Sequence, residues 1–163
     1  MSSDRLRQVT KNLTRLSAQL AGKEDTLTTI APEERVRIKI QITDLKAEMY
    51  PFQIEYWQIL ADQPVQTEIS EPAPEVVVAE IMDQVQQLRT SQQYSDELLE
   101  WLKQISAEVS KPQEPPLAKL KGVLSLLPPF VELSYEADLD TENFLRTHFP
   151  TFTKWSKALA KKL

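Results

Sequence analysis

The chain has 163 residues, of which 41% are apolar and 26% charged, with a formal net charge of -5. That composition suits one folded domain or two small modules rather than a disordered chain. The absence of cysteine excludes a disulfide framework and thiolate chemistry, and the acidity argues against general nucleic-acid affinity.

The charge is uneven. Residues 1–61 carry nine basic and eight acidic side chains, residues 62–116 three and eleven, and residues 117–163 seven and five. The acidic middle reads as a solvated face or as the complement of a basic surface. The opening MSSDRLRQVTKNL lacks the continuous apolar run of a secretory signal. No stretch has the apolar length of a membrane span, so the expected location is cytoplasmic.

The first element is an apolar seam at Leu6, Val9, Leu13, Leu16 and Leu20, with alternating steps of three and four. Such spacing turns one stripe of a helix toward a partner helix. The helix is expected to start at Ser3 or Asp4, pass through Gly22 and turn near Thr28 to Ala31. Pro32 suits the first position of a second helix, and Glu33 and Glu34 favour its positive end. That helix carries a second seam at Ile38, Ile42, Leu45, Met49, Phe52, Tyr56 and Ile59. The seam keeps its phase past Pro51, which predicts one kinked helix to about Ala61. Tyr50, Phe52, Tyr56 and Trp57 form an aromatic cluster suited to a core or to a docking patch.

The run ADQPVQTEISEPAPE, with three prolines and four acids, reads as a linker. Helical spacing resumes at Val78, Ile81, Val85 and Leu88, and again at Leu98, Leu102, Ile105 and Val109. Ser95, Asp96 and Glu97 suit the start of the second of these helices. KPQEPP reads as another linker. Beyond it, Val131, Leu133, Tyr135, Ala137 and Leu139 alternate with Glu132, Ser134, Glu136 and Asp138, a half-exposed strand pattern. A ribbon with Val123 to Leu127 across Pro128 and Pro129 is the matching expectation. Asp140 or Thr141 can cap a helix that Pro150 ends. The tail TFTKWSKALAKKL then places Phe152, Trp155, Leu159 and Leu163 on one side of a basic helix.

The expected fold is mainly α. A helical hairpin spans 1–61, a proline-rich acidic linker 62–76 and a helical pair 77–110. A linker at 111–116 leads to a small section over 117–163, a C-terminal β-ribbon plus helices. No phosphate loop, zinc motif, calcium loop or Ser-His-acid set is present, so no catalytic, cofactor or metal residue is assigned. His148 stands alone beside Phe149.

Two passages, IKIQITDLKAEMYPFQIEYWQIL and LKGVLSLLPPFVELSYEADLDTENFLRTHFPTFTKW, resemble helical effector-associated or C-terminal regions of cyanobacterial signalling proteins. Those proteins carry caspase-like, CHAT-protease or STAND ATPase modules. The resemblance covers about a third of the chain and implies recruitment, with catalysis on another polypeptide.

The resulting expectation is a non-enzymatic helical adaptor that binds a protein partner or itself. Its candidate interaction residues are Leu13, Leu16, Leu45, Phe52, Tyr56, Trp57, Leu133, Tyr135, Phe152 and Trp155. No cofactor, nucleic acid or small-molecule substrate is expected. The alternatives are weak contact with anionic membranes through the basic tail and a hydrolase built on scattered carboxylates.

Overall fold

The computed structural model describes residues 2–63, 69, 71–91 and 93–163. The chain divides into two units, Met1–Tyr56 and Trp57–Leu163. The boundary falls inside a helix. Of the proline-rich stretch 62–76, residues 64–68 and 70 lie outside the described residues.

The first unit is built on α1 (Ser2–Thr29) and the greater part of α2 (Pro32–Ala61). The two seams meet as their spacing requires. Leu16, Leu20 and Met49 are buried together, and Leu13, Ile42, Leu45 and Phe52 pack against them. Pro32 opens α2, where its missing donor costs nothing. The guanidinium of Arg35 donates to the Leu27 carbonyl at 3.0 Å, satisfying an acceptor left at the end of α1. Arg5 forms a fork on the Glu55 carboxylate, with Nη2 2.6 Å from Oε1 and Nε bonded to the other oxygen. This hydrogen-bonded pairing raises the Arg5 pKa and lowers that of Glu55. α2 continues through Pro51.

Among the described residues, the second unit contains the last turn of α2 and six further helices. These are α3 (Pro74–Thr90), α4 (Asp96–Val109), α5 (Pro116–Ser125), α6 (Leu127–Glu136), α7 (Thr141–His148) and α8 (Pro150–Lys161). α3 packs on α4, α5 and α8, and α4 also packs on α5. Pro74, Pro116 and Pro150 open their helices. Ser95 and Asp140 cap theirs by accepting from the Leu98 and Asn143 amides. α8 receives its cap from elsewhere: the Glu80 carboxylate on α3 accepts the Thr151 amide at 2.9 Å and the Phe152 amide at 3.3 Å. A carboxylate at a helix N-terminus also meets the positive end of the dipole. The mostly aliphatic core holds an aromatic cluster, with Trp101 and Phe130 stacked at 4.3 Å. Trp101 Nε1 donates to the Leu126 carbonyl at 2.8 Å, at the junction of α5 and α6.

The expected β-ribbon is not formed; no β-strand occurs among the described residues. The segment 121–127 belongs mostly to α5, and 127–136 is α6. Burial shows why the alternation misled. Leu127, Phe130, Val131 and Ser134 are buried, at the spacing of one helix face. Of the residues assigned to the strand's inner face, Val131 is buried, but Tyr135 is 42% exposed and Leu139 39% exposed. Pro128 and Pro129 lie in the first turn of α6, where amides have no partner within the helix. They admit the helix instead of ending it. Ser134, expected on the wet face, is 1% exposed. Its hydroxyl bonds the Val131 carbonyl and the Thr141 hydroxyl. Asp138 takes a left-handed φ of 57°. The amides of Asp138 and Leu139 then reach back to the Tyr135 and Ser134 carbonyls, a Schellman ending for α6.

Candidate interaction surface

α2 carries two stripes. The inner one makes the hairpin core. The outer one begins with Val36 and Ile40, which are 66% and 57% exposed. These residues are one turn apart and about half a turn round the helix from the inner seam. Thr43 and Ala47 continue the stripe as exposed residues, and the half-buried Tyr50 and Ile54 extend its spacing. The steps are again four and three. A helix with apolar residues on two sides has one more side than its hairpin partner can cover.

Beside this stripe, α1 and α2 frame an open groove of about 600 Å³. Gln19, Gly22, Lys23 and Thr26 line it from α1, and Gln41, Asp44, Leu45 and Glu48 from α2. Gly22 widens it, since a side chain there would meet nothing within 4 Å. Gln41 Oε1 is enclosed yet accepts no hydrogen bond, an arrangement that normally costs free energy. The lining carries Asp44 and Glu48 beside Lys23.

The candidate interaction residues do not converge. Leu13, Leu16, Leu45 and Phe52 belong to the hairpin core. Tyr56 is half-buried at the end of the first unit. Trp57, 8% exposed, stacks with Phe152 at 6.2 Å between ring centres. Phe152 and Trp155 are 1% and 2% exposed, on a helix packed against α3. Leu133 is half-buried, and Tyr135 is exposed on α6. Val36 and Ile40 were absent from that set. The second heptad on α2, read as steps from Val36, is the signal that would have found them.

His148 sits in an aromatic corner. Its ring lies 4.6 Å from that of Phe144, and the Tyr94 hydroxyl stands 3.5 Å from Nε2. Burial lowers its pKa. Among the described residues no group of three or more His, Cys, Asp or Glu side chains could hold a metal ion. No described helix is long and apolar enough to cross a membrane. A void of about 10 Å³ in the second unit is enclosed by apolar and aromatic side chains, including Ile81, Trp101 and Phe149. It is packing space, scarcely room for one water.

The chain matches no protein-family model, no curated protein and no solved structure. None of these comparisons links it to the signalling proteins that its two passages resemble.

Proposed function

We propose that the protein is a non-catalytic helical adaptor or assembly protein, and that it docks through the outer stripe of α2. One observation carries this reading: Val36 and Ile40 are well exposed although one turn apart on the same side of a long helix. Each leaves apolar area in water that a partner would remove, at about 25 cal/mol per Å². Apolar anchors four residues apart are how a helix is read by a groove or by another helix. The hairpin stiffens this surface, because the inner seam and the Arg5–Glu55 pair hold α2 against α1.

Burial also favours α2 over the basic last helix. Phe152, Trp155 and Leu159, the apolar side of α8, are buried, whereas a helix lying on a membrane keeps that side for lipid.

Crosslinking in native extract tests the reading, with the wild-type chain compared with a Val36→Glu/Ile40→Glu variant. Both positions are exposed, so the helix signal and melting point are expected to stay close to wild type. Crosslinks from Lys39 and Lys46 to partner chains are expected to disappear. An unchanged set of crosslinked partners in a folded variant overturns the assignment.

A further inference from the structure

The outer stripe has a charge pattern that says what covers it. Val36, Ile40, Thr43 and Ala47 alternate at core positions of a heptad. Lys39 and Lys46 flank them on one side, and Arg37 and Asp44 on the other. Lys39 and Asp44 are exposed, and neither has an ion partner in the chain among the described residues. They lie five residues apart on opposite flanks, so they cannot meet within one helix. They do meet between two copies of α2 placed side by side in the same direction, where each flank faces the opposite flank of its neighbour.

We propose that a second copy of this chain covers the stripe, with α2 parallel to α2 about a twofold axis and Lys39 of each copy paired with Asp44 of the other. The proposal rests on the docking role of α2 and names its partner. The twofold makes the contact twice. In the opposite orientation each flank faces itself: Lys39 stands against Lys46 of the second copy while Arg37 stands against Asp44, so a repulsion offsets an attraction, whereas the parallel arrangement makes two Lys39–Asp44 attractions. Asp44 also borders the groove between α1 and α2. The exposed stretch is only some three turns long, with two large apolar side chains per copy. That is smaller than a standard interface, so the dimer is weak and forms with rising concentration.

Sedimentation of the full chain from micromolar to millimolar concentration tests this. The average mass is expected to rise from monomer toward dimer. Lys39→Glu and Asp44→Lys are each expected to weaken dimerisation roughly tenfold, since two attractive pairs become repulsive. An equimolar mixture of the two variants restores it, because every pair is then of opposite sign. Lys39→Gln, a milder change should either charge reversal perturb folding, is expected to weaken it about threefold. Tighter association of Lys39→Glu means antiparallel packing and overturns the proposal. So does association indifferent to all these changes. A monomer at every concentration overturns it as well; the crosslinks that depend on Val36 and Ile40 then decide separately whether α2 docks another protein.

Discussion

His148 is the chain's one histidine, which makes its surroundings legible by titration. The imidazole is half-buried against Phe144, and burial holds its pKa below the ordinary 6.5. The unfolded chain therefore binds its proton more readily than the folded one. The stability linked to this group is fully present above pH 6.5 and is lost as pH falls through the lowered folded value. Denaturant unfolding of the wild type, followed by tryptophan fluorescence, is expected to show this decline on acidification below that point. In His148→Gln the histidine part of the slope should vanish. An equal slope in both proteins would assign it to carboxylates instead. Other decisive contacts here were beyond a sequence reading. Glu80 and the amides it caps are 71 and 72 positions apart, and no local pattern announces such a cap.

At the scale of elements, the starts of helices were the most legible. Pro32 and the caps Ser95 and Asp140 act within one turn of chain, so their chemistry is local; Pro150 marks the end of α7 in the sequence and in the structure also opens α8. The helix ending at Glu136 was misread because two periods coexist there. Alternation over 131–139 is real in the sequence, but Leu127 and Phe130 lie outside that window and complete a helical face. Phe130 is 0% exposed and stacked on Trp101, so Phe130→Ala is expected to cost about 3–5 kcal/mol. Tyr135→Ser, at a position 42% exposed, is expected to cost about 1 kcal/mol or less. Urea unfolding of the two variants measures both. A larger loss at Tyr135 than at Phe130 would mean that the exposed side of α6 carries more packing energy than its buried side.

At the scale of the whole molecule, the three tryptophans Trp57, Trp101 and Trp155 all lie in the second unit. Far-UV circular dichroism sees every helix, whereas fluorescence sees only that unit directly. Leu16→Ala removes a fully buried side chain from the hairpin core, at an expected cost of about 2–5 kcal/mol. The circular-dichroism transition is expected to move to lower denaturant than the fluorescence transition. Transitions that remain superimposed would mean that the two units unfold as one cooperative block.

The sequence by itself determined the hairpin, because a heptad seam encodes its own partner's spacing and each buried leucine repeats the same information. It also determined most helix boundaries, since prolines and capping side chains act on amides within a turn. Tertiary structure decided the state of residues 117–139, where alternating and helical patterns competed. Burial of Leu127 and Phe130 beside Trp101 favours the helix, and that burial depends on α4, distant in sequence. It also decided which apolar residues of α2 were left in water. Both of its stripes have heptad spacing, but α1 can cover only one, and Val36 and Ile40 remain on the other.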